Sequence, residues 1–196
     1  MNFEYLVSNK KNKIEGPLLI QPKIFCDQRG YFYEPWNRKK FNELVSEDVD
    51  FVQDNQSLSH KNVLRGLHFQ LNPQGQAKLV RVLRGSVYDV IVDLRLNSPT
   101  FMEWAKIELD SKKNNQLWIP KGFAHGFLSL EDNTILQYKV NNYWLPDYER
   151  TLRWDDKQIN IKWHKKNPKN LDFLISNKDK NGLSLEHIIK SNYVYT

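Results

Sequence analysis

Short runs of apolar and β-branched residues, broken by turn-forming residues, make up most of this chain. Turn-forming groups stand at 27–29, 120–122 and 132–133. The runs typical of strands are 18–20, 23–25, 30–33, 50–53, 63–70, 79–83, 86–94, 101–109, 116–119, 126–130 and 134–140. Short strands spaced by about eight to twelve residues predict an all-β sandwich or barrel.

Helical patterns are few. Apolar residues at helical spacing predict one helix over 38–45 and another over 183–190. The tract 165–170, rich in lysine and asparagine, carries no predicted element. The sequence shows no repeat at a fixed period and no interdomain linker. Because 196 residues suffice for one domain with a sizeable core, we predict a single domain over 1–196.

Composition and charge narrow the class of ligand. Aromatic residues form 13% of the chain, and they suit β-sheets and flat ligands such as bases and sugars. The formal net charge of +6 favours an anionic partner, such as nucleic acid, a membrane surface or a phosphorylated small molecule. The lysines form no long basic block and no nucleic-acid-binding module accompanies them, so we expect no nucleic acid partner.

The single cysteine, Cys26, excludes a disulfide framework within the chain and a multi-cysteine metal site. Its apolar neighbours Ile24 and Phe25 predict that it is a small buried residue. The N-terminus has no apolar signal region, and no segment approaches about eighteen apolar residues. We therefore expect a soluble, cytoplasmic protein without a membrane partner.

Three side chains suited to proton chemistry lie close together in the sequence. Arg65 and His68 share one predicted strand, and Lys78 begins what the pattern predicts as a neighbouring strand. On a strand, His68 faces away from Leu67 and Phe69, and its ordinary pKa of about 6.5 suits acid and base roles. Such a set can bind an anion, remove a proton and stabilise the resulting negative charge.

Three further residues extend this set. His125 lies in the segment 120–127, Tyr138 lies on the following strand, and Arg29 suits an anion as Arg65 does. A tyrosine phenol is a weak acid that can return a proton. Taken singly, each of these residues has an alternative role as a surface charge or a structural side chain.

A metal site is not predicted. Many β-barrel proteins bind metal through a His-x-His pair. Here the residue two positions after His68 is Gln70, so this pair is missing. His60 lies eight residues before His68, roughly 26 Å along an extended strand, which is too far to share an ion. The sequence also lacks a glycine-rich phosphate loop, a nucleophile elbow and a dinucleotide-binding fingerprint.

Several segments together resemble the dTDP-4-dehydrorhamnose 3,5-epimerase family, in the family's order. They include Val-Leu-Arg-Gly-Leu-His-Phe-Gln at 63–70 and Ser-Asn-Lys-Asp at 176–179. The other segments are 25–34, 51–57, 76–82, 85–95, 98–101, 117–127, 137–139 and 154–156. Two positions depart from the family pattern: Gln56 replaces a histidine and Ile175 replaces a leucine.

The resemblance implies a cupin-type double-stranded β-helix, or jelly roll, with a few short peripheral helices and a core at about 18–180. It also implies a homodimer that uses no metal or organic cofactor. The implied substrate is a dTDP-linked 4-keto-6-deoxy sugar, dTDP-4-dehydro-6-deoxy-D-glucose. Its C4 ketone acidifies the C3 and C5 hydrogens, so proton transfer through an enolate gives dTDP-4-dehydro-L-rhamnose, in dTDP-L-rhamnose biosynthesis.

The resemblance also implies roles for individual residues. His68 is similar to the family's base, Tyr138 to the acid across the ring, Lys78 to the cation beside the C4 oxygen, and Asp179 to the carboxylate that orients the base. The positions that match substrate-binding residues are Arg29, Glu34, Gln53, Asn55, Arg65, His125, Glu149 and Lys178.

Three alternatives stay open at this stage. The first alternative to the 3,5-epimerase is a mono-epimerase that inverts C3 or C5 only. The second is an epimerase of a different nucleotide-linked 4-keto sugar. The third is a non-catalytic cupin that binds a sugar nucleotide or nucleic acid. Deuterium incorporation from solvent at only one of C3 and C5 would identify the mono-epimerase. The side chains of the base-binding pocket decide which nucleotide is bound. The complete set of base, cation and acid opposes the third.

Overall fold

The computed structural model describes residues 2–164 and 172–196, so the lysine- and asparagine-rich tract 165–170 lies outside the described residues. In chain order the strands are β1 (Asn2–Val7), β2 (Lys13–Gln21), β3 (Phe25–Asp27), β4 (Gly30–Phe32), β5 (Gln53–Ser59), β6 (Val63–Gln70), β7 (Lys78–Arg84), β8 (Ser86–Asp93), β9 (Trp104–Asp110), β10 (Gln116–Ile119), β11 (Phe123–Ser129), β12 (Thr134–Val140), β13 (Glu149–Thr151) and β14 (Leu174–Ile175). The helices are α1 (Arg38–Val45), α2 (Asn177–Lys180) and α3 (Leu185–Lys190).

Two sheets pack face to face. The first has the order β1-β2-β10-β7-β12-β5 and the second β13-β6-β11-β8-β9, with β14 added beside β6. All of these pairs are antiparallel except β14 with β6. The all-β jelly roll with short peripheral helices that the sequence predicted is confirmed.

The space between the sheets is filled by apolar side chains from both. Val80 and Leu136 of the first sheet pack in one cluster with Ile91, Leu109 and Phe127 of the second. This inner cluster occupies only part of the interior, because the inward positions of β5 are polar: Gln53, Asn55, Ser57 and Ser59. That polar stretch is where a cavity opens.

Each sheet is also covered on its outer face. Phe41 of α1 packs with Leu79 and Trp118 on the first sheet. Leu185 and Ile188 of α3 pack against the second sheet. The strand β8 is therefore buried along its whole length, which explains its nearly continuous apolar sequence.

Two expectations about strand pairing and burial are wrong. The strands β6 and β7, predicted to be neighbours, lie in opposite sheets, so His68 and Lys78 meet across the interior. Cys26 is exposed, because β3 and β4 form a separate two-stranded hairpin instead of joining either sheet. An apolar neighbourhood in the sequence did not imply burial here.

Candidate active site

A cavity of about 440 Å³ opens between the two sheets. Its walls come from β5, β7 and β12 on one side and from β6 and β11 on the other. The predicted site residues that line it are Gln53, Asn55, Arg65, His68, Lys78, His125, Tyr138 and Glu149. Residues that are far apart in the sequence thus share one site.

His68 is held by a carboxylate at the edge of the cavity. Its Nε2 lies 2.6 Å from Oδ1 of Asp179, which is buried. Burial alone would raise the pKa of Asp179, but hydrogen bonds from His68, the Gly66 N–H and Ser176 lower it below its ordinary value. An ionised Asp179 accepts the Nε2–H bond, which leaves Nδ1 of His68 as the basic nitrogen.

The short segment β14–α2 brings Asp179 to this place. The strand β14 runs parallel to the beginning of β6, and Ser176 then caps α2 by accepting a hydrogen bond from the Asp179 N–H. The other carboxylate oxygen, Oδ2, accepts a bond from the backbone N–H of Gly66 at 3.3 Å. Both oxygens of the carboxylate are therefore fixed relative to β6.

A β-bulge places Arg65 and His68 on the same wall. His125 pairs with His68 and Phe127 pairs with Arg65, so one residue of β11 faces two residues of β6. In a regular strand, residues three apart would point to opposite faces. The bulge lets both side chains line the cavity.

Lys78 lies on the facing wall, at the beginning of β7. It is buried, and its Nζ donates to the backbone carbonyl of His68 at 3.4 Å. Burial lowers the pKa of Lys78 from 10.5 to about 8, although the negative charges of Asp89 and Glu149 oppose the change. Lys78 is therefore mostly a cation at neutral pH, in a place where water screens its charge poorly.

Tyr138 of β12 faces the cavity from the same sheet as Lys78. The Lys78 Nζ is 5.9 Å from the centre of its ring. Burial raises the pKa of Tyr138, the charge of Glu149 raises it further, and Arg65 partly opposes this. The phenol stays protonated at neutral pH and is thus an available proton donor.

A second histidine–carboxylate pair lies deeper in the cavity wall. His125 Nε2 is 2.9 Å from Oδ1 of Asp89, and both side chains are buried. Burial lowers the pKa of His125, although Asp89 opposes the change. Asp89 has no role in the sequence prediction, but a carboxylate in a strand buried on both faces signals a buried partner.

The remaining cavity residues carry polar groups around its edge. Gln53 donates to Asn55 at 2.8 Å on β5. Glu149 of β13 accepts from Lys178 Nζ at 2.6 Å, so Lys178 reaches the edge of the cavity from α2. Trp144 also lines the cavity and was not singled out from the sequence.

Arg29 and Glu34 do not line the cavity of their own chain. Arg29 is exposed on the β3–β4 hairpin and pairs with Asp27 at 2.6 Å. Glu34 pairs with Lys40 of α1 at 2.6 Å. These two residues are therefore separated from the other ten predicted site residues within one chain.

Residues 2–164 and 172–196 show no sign of a metal centre or of a membrane-spanning helix. No group of three or more His, Cys, Asp or Glu side chains within them is arranged to hold a metal ion. None of the helices described is long and apolar enough to cross a membrane.

Comparison with known proteins agrees with this geometry. A family model described as dTDP-4-dehydrorhamnose 3,5-epimerase matches residues 11–187. A curated protein of that name from Shigella flexneri is 50% identical over 172 residues, covering 88% of this chain and 92% of that protein.

Solved structures match as well. An epimerase from Legionella pneumophila, in complex with dTDP-4-keto-L-rhamnose, has a TM-score of 0.87 and 40% identity over 99% of this chain and 98% of that chain. A 3′-monoepimerase from Streptomyces bikiniensis, in complex with dTDP-quinovose, has a TM-score of 0.86 and 32% identity over 93% of this chain and 90% of that chain. Since the family model and a relative of this identity both cover most of the chain, the protein belongs to the dTDP-4-dehydrorhamnose 3,5-epimerase family.

Proposed function

We propose that this protein, as one epimerase domain over 1–196, inverts C3 and C5 of dTDP-4-dehydro-6-deoxy-D-glucose to give dTDP-4-dehydro-L-rhamnose. The observation that carries the proposal is the placement of His68 and Tyr138 on opposite sheets around one cavity, with Lys78 beside them. Inversion requires a base on one face of a sugar carbon and an acid on the other, and this placement supplies both.

In this mechanism His68 removes the hydrogen next to the ketone. Its Nδ1 takes the proton, while Asp179 holds the ring through Nε2 and stabilises the imidazolium that forms. The electron pair of the broken C–H bond moves into the enolate, whose negative charge develops on the C4 oxygen. Tyr138 then delivers a proton to the opposite face of the carbon.

Lys78 stabilises the enolate in this mechanism. A preformed cation in a poorly hydrated site lowers the energy of developing negative charge more than the same cation in water does. The hydrogen bond from Lys78 Nζ to the carbonyl of His68 keeps the cation near the base. Removal of the proton and stabilisation of the charge thus occur at adjacent groups.

We also propose that the protein works as a homodimer whose β3–β4 hairpin completes the cavity of the partner. Phe25, Tyr31 and Phe32 on this hairpin are 54%, 62% and 72% exposed, and such contiguous apolar surface is typical of an interface. An interface there would carry Arg29 and Glu34, which do not line the cavity of their own chain, toward a second copy. Arg29 and Arg65 would then both contact the diphosphate.

A coupled assay tests the proposed reaction. The enzyme is mixed with dTDP-4-keto-6-deoxy-glucose, a 4-reductase and NADPH, and dTDP-rhamnose is followed by chromatography. We expect dTDP-rhamnose to form only when this enzyme is present. Its absence, with a known 3,5-epimerase active in parallel, would contradict the proposal.

A further inference from the structure

Gln70 has no role in the mechanism above, although it lines the cavity two residues after His68. Its side chain is buried, and the amide forms three hydrogen bonds with backbone groups. Nε2 donates to Gln74 O at 2.7 Å and to Tyr143 O at 3.2 Å, and Oε1 accepts from the Leu145 N–H at 2.7 Å. One amide therefore holds the backbone at two places that are far apart in the sequence.

These bonds connect two segments at the edge of the cavity. Residues 71–77 lead from β6 to β7, and residues 141–148 lead from β12 to β13; we call them the edge segments. The second edge segment carries Trp144 and ends next to Glu149, and both of these side chains line the cavity. The Gln70 amide thus sets where part of the cavity wall lies.

The edge segments are also joined directly to each other. Asn141 Oδ1 accepts from the Ala77 N–H at 2.8 Å, and Gln76 Nε2 donates to Asn142 O at 2.8 Å. Backbone polar groups of loops need such partners when water does not reach them. Side-chain amides therefore hold both edge segments in one arrangement in the unliganded chain.

The bonds of Gln70 indicate that it positions other groups and does not bind the substrate through its amide nitrogen. A glutamine amide has two N–H bonds, and both have backbone acceptors here. The catalytic groups are held in other ways, His68 by Asp179 and Lys78 by the pairing of β7 with β10 and β12. Loss of the Gln70 amide should therefore loosen the edge segments and leave the catalytic groups in place.

We propose that Gln70 is a positioning residue that preorganises the edge segments for substrate binding. When the wall of a cavity is already ordered, binding loses little free energy in ordering it, and affinity rises accordingly. The role of Gln70 is thus in binding and not in proton transfer. The proposal rests on the proposed function, since its test uses that substrate.

Apolar replacements of two buried amides provide the test. Gln70→Met keeps the length of the side chain and removes all three hydrogen bonds. Asn115→Leu is the matched control, because Asn115 is buried, does not line the cavity and also bonds to the backbone. Its amide donates to Glu108 O at 2.9 Å and accepts from the Asp110 N–H at 3.0 Å. The coupled assay gives kcat and KM, calorimetric titration gives dTDP affinity, and thermal melts give stability.

Both variants should melt below the wild type, because each leaves buried backbone groups without their partners. We expect Gln70→Met also to raise KM and weaken dTDP binding, each about tenfold, with kcat within about threefold of the wild type. Asn115→Leu should keep the KM and the dTDP affinity of the wild type. If Gln70→Met does not fold, Asn141→Ala decides, because it removes one bond between the edge segments; it should raise KM about threefold with kcat unchanged.

Three outcomes overturn the proposal while leaving the proposed function intact. The first is an unchanged KM in the deciding variant. The second is a lower kcat with unchanged KM, which indicates a loss of folded enzyme, and the third is an equal rise of KM in Asn115→Leu. Failure of the wild type to form dTDP-rhamnose is a different result. It would contradict the proposed substrate itself and remove the basis of the Gln70 proposal with it.

Discussion

At the scale of single residues, the chemistry depends on how burial and neighbouring charges set the state of each side chain. The sequence alone made His68, Lys78 and Tyr138 candidates, because their residue types suit proton transfer. It gave no information on Asp89, whose pairing with His125 depends on two strands meeting in the fold. The lowered pKa of Lys78 likewise depends on burial that only the packed structure creates.

Replacing His68 tests the proposed base. We predict that His68→Ala lowers kcat by roughly 10²–10⁴-fold, the usual contribution of a general base, with dTDP affinity nearly unchanged. The matched control is His60→Ala, because that side chain is 68% exposed and does not line the cavity. Steady-state kinetics and dTDP titration measure both effects. Near-normal turnover in His68→Ala would refute the assigned base.

Replacing Lys78 should separate activity from stability. We predict that Lys78→Met lowers kcat by roughly 10²–10³-fold, because the enolate loses its cation. At neutral pH the variant should also be more stable, since burying the charged form costs the folded state on the order of 3 kcal/mol when the pKa falls from 10.5 to about 8. Thermal melts and turnover assays measure the two effects, with the exposed Lys121→Met as control.

The pH dependence of these effects follows from the sign of the Lys78 shift. The folded protein loses the lysine proton near pH 8, whereas the unfolded chain keeps it until about 10.5. The stability penalty is therefore fully present below pH 8 and is relieved as the pH rises toward 10.5. We predict that kcat falls as the pH rises through about 8, and that the stability gain of Lys78→Met shrinks over the same range. A kcat that stays constant above pH 8, together with a stability gain of Lys78→Met that stays constant up to pH 10.5, would contradict this.

At the scale of elements, the sequence predicted apolar strands better than polar ones. The bounds of β6, β10, β12 and α1 match the predicted runs, because each carries a clear apolar pattern. The strand β5 was placed at 50–53 but begins at Gln53, since its inward face lines a cavity and needs no apolar residues. The edge strands β1, β13 and β14 were missed, as was α2, which spans only four residues.

The hydrophobic periodicity of the sequence also does not predict the bulge between β6 and β11. The glycines at this bulge allow a test of its role. A Cβ on Gly126 would lie 2.6 Å from the backbone oxygen of Arg65, so the two strands would have to separate. We predict that Gly126→Ala lowers the free energy of unfolding by about 1–3 kcal/mol and lowers kcat/KM, because the bulge places Arg65 and His68. Urea unfolding and kinetics measure these effects.

Gly30→Ala is the matched control for the stability part of this prediction. Gly30 has a φ of +124°, but nothing lies within 4 Å of its Cβ position. Its replacement therefore adds backbone strain of about 1 kcal/mol without a steric clash. If Gly126→Ala unfolded at the wild-type urea concentration and kept full activity, the bulge would not be needed to place the site.

At the scale of the whole molecule, the open question is how Arg29 and Glu34 reach a substrate. The proposed dimer predicts that two inactive variants restore each other. After His68→Ala and Arg29→Ala subunits are mixed and allowed to exchange, half of the sites in each hybrid dimer have both native residues, so about a quarter of wild-type activity should return. Sedimentation should show a dimer throughout. A monomer, or a mixture that stays inactive after exchange, would contradict a shared site.

The central claim is that one cavity inverts both carbons next to the ketone, and solvent exchange tests it most directly. The enzyme is incubated with dTDP-4-keto-6-deoxy-glucose in D2O, and deuterium is located by NMR, with His68→Ala as the control. We predict deuterium at both C3 and C5 with the wild type and at neither carbon with the variant. Deuterium at one carbon only would indicate a mono-epimerase, and no enzyme-dependent exchange at either carbon would contradict epimerisation altogether.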